Sequence, residues 1–236
     1  MEVSPLSMSL ALAAAGIAFT HTILGPDHYL PFVMLARVRK WSVARTMAIT
    51  AACGLGHVAS SLLLGGLGLF LGLAVGEIEG LELGRGDLAA WALVAFGVAY
   101  AVWGARRALR TRHGIEPHKH HGHVHVHTHG VSPHEHDEAE VSRQTTFWAL
   151  FVIFALGPCE PLIPLFVLPA SRGSWSAAIL AAVVFGVVTV VTMLVLTALA
   201  LAGVKRLSLG PLEKWSHTMA GAVVAASGMA ILFPGL

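Results

Sequence analysis

The chain has few charged residues. Asp, Glu, Lys and Arg make up 12% of its 236 residues, against about 25% in an average soluble domain, whereas hydrophobic residues make up 56%. This composition excludes an ordinary soluble protein and predicts an integral membrane protein. The N-terminal segment also lacks Lys and Arg, so we expect its first apolar run to stay in the protein rather than to be cleaved as a signal peptide.

Cysteine is almost absent as well. Cys53 and Cys159 both fall in apolar runs, which excludes a secreted disulfide scaffold. The chain has no Walker-type loop and no dinucleotide fingerprint. Its net charge of +2 comes from basic residues spread over several loops, a pattern that does not favour nucleic acid. We therefore expect no nucleic-acid partner, no use of ATP and no enzymatic activity.

Six apolar runs approach or exceed the about 20 residues needed to cross a membrane. They are 6–24, 47–73, 88–104, 146–168, 177–204 and 215–233. Of the 15 Lys and Arg residues, all but Arg85 and Arg172 follow spans one, three and five. Because Lys and Arg accumulate in cytoplasmic loops, we predict a multi-pass protein of the prokaryotic cytoplasmic (inner) membrane with both termini outside.

A weak internal repeat divides the chain. At an offset of 132 residues, LGPDHYL at 24–30 aligns with LGPCEPL at 156–162, and CGLGHVASSL at 53–62 aligns with FGVVTVVTML at 185–194. Three helices per half require opposite orientations, as in many secondary transporters. We therefore predict an all-α fold of two inverted three-helix repeats, 1–110 and 146–236, joined by a loop at 111–145. Chance similarity among Gly, Leu and Val is the alternative.

Polar residues follow the two Gly-Pro pairs, each of which should interrupt a membrane helix. Ionisable groups inside a membrane usually serve a function, and imidazole, thiolate and carboxylate groups together suit a late first-row metal ion. Further imidazole and thiol groups lie nearby in the first two spans. The predicted metal ligands are His21, Asp27, His28, Cys53, His57, Cys159 and Glu160. The alternative is that these residues only pack the core or cap broken helices.

Most histidines lie in one polar stretch between spans three and four. They are His113, His118, His120, His121, His123, His125, His127, His129, His134 and His136. The low hydrophobicity of the stretch predicts disorder, and its composition is typical of metal binding. The predicted orientation places it in the cytoplasm, where it would capture or buffer metal ions. A plain polar linker is the alternative.

These motifs resemble a known family. HTILGPDHYLPF, CGLGHVASS and LGPCEPLIPL, with the histidine-rich loop, resemble the nickel/cobalt transporter superfamily, and most closely its small urease-accessory-like membrane proteins. The resemblance covers residues 20–166 and implies that nickel or cobalt is transported. His21, Asp27 and His28 match the first-helix signature of the family, and His57 matches its second-helix histidine.

On this basis we predict a transporter of divalent metal ions. The cargo would be Ni²⁺ or Co²⁺, or else Zn²⁺, carried as a transported ion rather than as a permanently bound cofactor. Because metal ligands lose protons when they bind, proton coupling is expected, and a cytoplasmic histidine tract favours export over import. The partners would be metal ions, the lipid bilayer, a second copy of the chain or a metallochaperone.

A second interpretation rests on GPCEPLIP, which also resembles the Ser-Pro-Cys-x-x-Pro pattern of membrane thiol–disulfide electron carriers. With Cys53 as its second cysteine, the chain would move reducing equivalents across the bilayer. In those carriers the two cysteines occupy equivalent repeat positions, whereas Cys159 here aligns with Asp27, and Cys53 aligns with Phe185. A third interpretation, an exporter of small anions such as sulfite, predicts Lys or Arg in the apolar runs, and those runs contain neither.

Overall fold

The computed structural model describes residues 5–110, 135–205 and 210–233, and these residues contain helices and no β-strand. The α-helices are α1 (Pro5–Leu24), α2 (Leu30–Val38), α3 (Val43–Phe70), α4 (Val75–Arg110), α5 (Glu135–Leu156), α6 (Leu162–Ser171), α7 (Trp175–Lys205) and α8 (Ser216–Leu232). Short 3-10 helices lie at Pro26–His28 and Gly210–Trp215. The predicted all-α class is confirmed. Of the histidine-rich stretch, His113 to His134 lie outside the described residues.

Five helical segments are long and apolar enough to cross a membrane, so the chain is a multi-pass membrane protein. They are Ser7–Leu24, Val43–Phe70, Val75–Leu109, Trp175–Val204 and Glu213–Leu232. The span predicted at 146–168 is not a continuous helix. It is divided into Thr146–Leu156 and Leu162–Ser171, each shorter than the about 20 residues that a crossing needs, because Pro158 interrupts it.

Both predicted helix breaks are present. The helix α1 ends at Leu24, and the 3-10 turn Pro26–His28 separates it from α2. The helix α5 ends at Leu156, and α6 begins at Leu162. Proline lacks a backbone N–H and its ring clashes with the preceding turn. Each break therefore leaves backbone groups that need partners from other parts of the chain.

The start of α4 differs from the prediction. The third span was predicted to begin at 88, with the acidic residues before it in a loop, but α4 begins at Val75. The carboxylate of Glu77 accepts a hydrogen bond from the backbone N–H of Ala74 at 2.8 Å and so caps the new helix. Glu82 and Arg85 form an ion pair one helical turn apart, which stabilises a helix in this charged segment.

Glycines bring α4 and α8 into backbone contact. A Cβ atom on Gly97 would meet the backbone nitrogen of Ala225, and one on Gly221 would meet the backbone nitrogen of Ala101. A Cβ atom on Gly228 would likewise lie 2.8 Å from a backbone oxygen of α4. Small residues allow such close approach between membrane helices, where packing replaces the hydrophobic effect as the driving force.

One face of α7 is apolar and exposed. Its members recur every four residues and are at least half exposed: Ile179, Val183, Val187, Val191, Val195 and Leu199. Residues at this spacing lie on one side of a helix. The rest of α7 packs against α1, α3 and α6. The exposed stripe is therefore the surface that α7 presents to the hydrocarbon of the bilayer.

Candidate functional site

The seven predicted site residues lie on three parts of the structure. They are His21 at the end of α1 with Asp27 and His28 in the turn that follows it, Cys53 and His57 in α3, and Cys159 and Glu160 between α5 and α6. The helix α3 packs against both α5 and α6, and the 3-10 turn packs against α8. Two broken helices and one continuous helix thus surround a common interior.

Three of these residues form a compact group, here named the His–Cys cluster: His21, His57 and Cys159. One possible ligand atom from each lies within 4.8 Å of those of the other two. His57 is 3% exposed and Cys159 is completely buried. The ring centroid of His28 lies 4.9 Å from that of His21 and 5.4 Å from that of His57. The buried thiol therefore lies beside a group of imidazoles.

In His57 and His28, a hydrogen bond from one ring nitrogen leaves the other ring nitrogen available as an acceptor or ligand. Nδ1 of His57 donates to the carbonyl oxygen of Phe154 at 3.2 Å, and Nδ1 of His28 donates to that of Gly25 at 3.1 Å. Because a carbonyl oxygen only accepts, the neutral ring carries its proton on Nδ1 and its lone pair on Nε2. The Nε2 atoms of both rings and of His21 are buried without a hydrogen-bond partner.

Asp27 contacts His28 rather than the His–Cys cluster. Its Oδ1 atom lies 3.3 Å from Nδ1 of His28, so it helps to orient that ring. Both residues, with His21, Pro158 and Glu160, line a cavity of about 610 Å³. Polar side chains therefore line a path that leads to the cluster through an otherwise apolar protein.

Glu160 lies beside the cluster without belonging to it. Its side chain is exposed, and it lines both the large cavity and a second cavity of about 360 Å³. Glu79 and Glu82 also line this second cavity. The side chain of Glu160 is therefore part of the lining of both cavities.

Cys53 also lies outside the cluster. It is buried in an apolar group with Phe154 and Met193, whereas Cys159 belongs to a different apolar group. Both cysteines are free thiols. On α3, Cys53 precedes His57 by four residues, which places the two on the same side of the helix one turn apart.

A buried ion pair that the sequence analysis missed holds the break between α5 and α6. Glu82 is 1% exposed, and its Oε1 atom accepts from Arg85 at 2.7 Å, from the backbone N–H of Cys159 at 2.9 Å and from the hydroxyl of Ser61. Arg85 also donates to the carbonyl oxygen of Gly157 at 3.3 Å. The ion pair thus satisfies backbone groups that the break leaves without helical partners.

The ion pair of Glu82 and Arg85 was not predicted, because it lies in a segment with many charged residues. A run of acidic residues around Arg85 predicts a loop when hydropathy alone is considered. The available signal was the spacing of Glu82 and Arg85, since opposite charges three residues apart lie on one helix face. Their partner at Cys159 is 77 residues away in the chain, and no local pattern reports such a contact.

These features define a multi-pass helical membrane protein with a buried thiol at a helix break, beside imidazoles. A family model described as "Cytochrome C biogenesis protein transmembrane region" matches residues 30–230. The match covers most of the chain, and the chain belongs to this family. Comparisons with curated proteins and with solved structures found no match.

The family match corrects the earlier assignment. The resemblance to the nickel/cobalt transporter superfamily was misleading, and the prediction of nickel or cobalt transport is wrong. The first-helix signature that suggested it lies before residue 30, where the family match begins, whereas both cysteines lie inside the match. Polar residues behind a Gly-Pro pair are expected wherever a membrane helix is broken around a cavity, so this pattern alone does not distinguish the two families.

Proposed function

We propose that this protein moves reducing equivalents across the membrane by thiol–disulfide exchange, with Cys159 and Cys53 as its reacting thiols. The position of Cys159 carries the proposal, because this thiol follows Pro158 at a helix break within the matched family region. Possible proton acceptors on His21 and His57 lie within 4.8 Å of its sulfur. An imidazole that takes the thiol proton produces the thiolate, which is the nucleophile of disulfide exchange.

The exchange is balanced over two thiols. The Cys159 thiolate attacks the disulfide of a partner protein, which forms a mixed disulfide and releases one partner thiolate, and this thiolate takes the proton that the imidazole had accepted. Cys53 then attacks the mixed disulfide, and its own proton goes to the departing sulfur. The partner leaves with two electrons and two protons as a dithiol, and the chain keeps a Cys53–Cys159 disulfide. A dithiol protein on the other side of the membrane reduces this disulfide and restores the starting state.

The second step requires movement between α3 and the break. The two Cα atoms of a disulfide lie about 4.4–6.8 Å apart, whereas Cys53 and Cys159 are packed in different apolar groups. Cys159 lies beside His57, and four residues of helix span about 6 Å. A shift of the break by one turn along α3 therefore carries the Cys159 thiol from His57 to Cys53.

The architecture proposed for this function has six crossings in two inverted repeats. The halves α1–α4 and α5–α8 each contain a helix, a break followed by a short helix, and two further helices. Equivalent contacts support the repeat: α1 packs on α7 as α5 packs on α3, and α2 packs on α8 as α6 packs on α4. The broken pair α5 and α6 forms the sixth crossing. Both termini lie outside the cytoplasmic membrane. The segment at 111–134 faces the cytoplasm, together with the start of α5, where the loop predicted at 111–145 was placed too far along the chain.

Oxidation tests the proposed pair of thiols. The purified chain is equilibrated in glutathione buffers of graded potential, and free thiols are counted by the gel shift that a maleimide polymer produces. We expect both thiols to disappear together in one two-electron transition. In proteoliposomes, the same protein should reduce an enclosed disulfide reporter when a dithiol is supplied outside.

Single-cysteine variants are the controls. In oxidised glutathione, Cys53→Ser should stop at a mixed disulfide between Cys159 and glutathione, whereas Cys159→Ser should keep a reactive Cys53 thiol. Both variants should lose transmembrane reduction. If the two thiols of the unaltered chain stay reactive under oxidising conditions that link a reference dithiol protein, the proposed exchange is wrong.

A further inference from the structure

We propose that the His–Cys cluster binds one soft d10 metal ion, Cu⁺ or Zn²⁺, through His21, His57 and Cys159. This binding goes beyond the electron transfer proposed above and does not involve transport of the ion. It accounts for two buried imidazole nitrogens without a hydrogen-bond partner beside one thiol, whereas removal of a single thiol proton needs only one of them.

The distances in the cluster suit a single ion. Ligand atoms that surround a zinc-sized ion, at about 2.0–2.1 Å for nitrogen and about 2.3 Å for sulfur, lie roughly 3.3–3.8 Å from one another. The three possible ligand atoms here lie within 4.8 Å of one another. A contraction of about 1 Å, well within the reach of side-chain rotation, closes the site.

The imidazoles are arranged as metal ligands usually are. In metal sites, one ring nitrogen of histidine binds the ion while the other donates to a carbonyl or carboxylate, which orients the ring. His57 has this arrangement, with Nδ1 on the carbonyl oxygen of Phe154 and Nε2 buried without a partner. Nε2 of His21 is also buried without a partner. Phe154 belongs to the last turn of α5, so the helix that orients His57 also leads to Cys159.

The donor atoms select the class of ion. Two imidazole nitrogens and one thiolate sulfur suit soft or intermediate ions, whereas Mg²⁺ and Ca²⁺ need oxygen ligands. The acids Asp27 and Glu160 lie outside the cluster. Cu⁺ with one thiolate forms a neutral unit, which suits a buried apolar site. Zn²⁺ prefers four ligands, and His28 is the adjacent fourth donor, with its own unpartnered Nε2.

The cavity beside the cluster provides an entry path. It has a volume of about 610 Å³, and His21 and His28 line it. An ion can therefore reach the imidazoles without passing between the apolar side chains that pack the helices together.

The test uses the rarity of cysteine in this chain. Cys53→Ser leaves Cys159 as the only thiol, so the rate of its alkylation by a small maleimide reports this site and is unaffected by metal held on the histidine-rich loop. Free Cu⁺ or Zn²⁺ is set by a chelator in two separate series. We expect saturable protection of Cys159, with alkylation slowed about tenfold or more, because a coordinated thiolate is a poor nucleophile.

Ligand variants identify the site. In the Cys53→Ser background, His57→Ala and His21→Ala should each raise the metal concentration for half-protection by about 10- to 100-fold, as the loss of groups at a metal site does. His217→Ala is the matched control, since His217 is a membrane-helix histidine bonded to Tyr100 rather than to the cluster. It should leave protection unchanged. A chain with Cys159→Ser should show no protection of Cys53.

The outcomes are separable from those of the exchange experiment, because no disulfide can form within a chain that lacks Cys53. Protection at lower free Cu⁺ than Zn²⁺ assigns copper, and the reverse order assigns zinc. If neither ion protects Cys159 in the folded Cys53→Ser protein, the site is wrong. That measurement needs no histidine variant, so misfolding of such a variant does not obscure the result. Unchanged protection in folded His21→Ala and His57→Ala proteins would also overturn the proposal.

Discussion

The two carboxylate oxygens of Glu82 have very different surroundings. Oε1 accepts three hydrogen bonds, from Ser61, Arg85 and the backbone of Cys159, while Oε2 is buried without a partner. A carboxylate inside a membrane is unfavourable unless an opposite charge and hydrogen bonds compensate for its lost hydration. Arg85 supplies the charge, and the helix break supplies a donor. Glu82 is therefore a positioning residue for the thiol of Cys159.

Replacing this carboxylate should destabilise the break. Glu82→Gln keeps the size of the side chain but leaves Arg85 without its partner charge, and breaking a buried ion pair costs about 3–5 kcal/mol. We expect a lower thermal unfolding temperature in detergent and faster alkylation of Cys159 at temperatures where the protein is still folded.

Asp87→Asn is the matched control for Glu82→Gln. It also neutralises one acid of α4, but Asp87 is exposed, so its loss should change stability by less than about 0.5 kcal/mol and should not alter the alkylation rate. Similar effects of the two substitutions would mean that Glu82 acts through the general charge of the segment rather than through its hydrogen bonds to the break.

At the scale of elements, the contact between α4 and α8 depends on atoms that glycine lacks. Gly221→Ala would place a Cβ atom against the backbone of Ala101 and Gly97, which forces the helices apart at a cost of about 1–3 kcal/mol. In contrast, Gly203→Ala in α7 has nothing within 4 Å of the new atom. That substitution should stabilise α7 by up to about 1 kcal/mol, because alanine favours helix more than glycine does.

Thermal unfolding of the two variants in the same detergent checks the opposite signs. If Gly221→Ala is neutral while the protein remains monomeric and helical, the close approach of α4 and α8 is not important for stability.

Local sequence patterns predicted some elements well and others poorly. The Gly-Pro pairs located both breaks, because proline acts on its own turn whatever surrounds it. The late start of α4 was wrong, because hydropathy averages over a window and does not register an ion pair. The close contact of α4 and α8 at their glycines was not predicted either, since a residue without a side chain adds almost nothing to a hydropathy pattern.

The candidate site was predicted in part. Its members were recognised because a polar side chain is conspicuous in an apolar run, and the structure brings His21, His57 and Cys159 together. It does not bring Cys53 into that group. Which polar residues meet depends on how the broken helices cross α3, and this is a tertiary property that spacing along the chain does not report. Their role as metal ligands stays a prediction.

At the scale of the whole molecule, basic residues from distant parts of the chain meet at one end. Arg37, Lys40, Arg107 and Lys214 line a single recess of about 370 Å³. They come from the end of α2 and the residues after it, from the end of α4 and from the segment before α8. Since Lys and Arg accumulate on the cytoplasmic side, the orientation proposed above places this end of the molecule in the cytoplasm.

Labelling of single cysteines tests the orientation. In a chain that carries Cys53→Ser and Cys159→Ser, Lys40→Cys should react with an impermeant maleimide only after spheroplasts are lysed. Ala74→Cys, in the connection between the opposite end of α3 and the start of α4, should react in intact spheroplasts. The reverse pattern would invert the molecule and would place the segment at 111–134 outside the cytoplasm.

The hydrogen bond between Glu82 and Cys159 also has a consequence for biosynthesis. The two residues are 77 positions apart, and at about 5–20 residues per second the ribosome needs about 4–15 s to make the segment between them. During that interval α4 can pair Glu82 with Arg85 and Ser61, but the third donor does not yet exist. The first half of the chain therefore enters the bilayer with an incompletely satisfied carboxylate, and this carboxylate is the acceptor that sets the broken helix of the second half in place when it arrives.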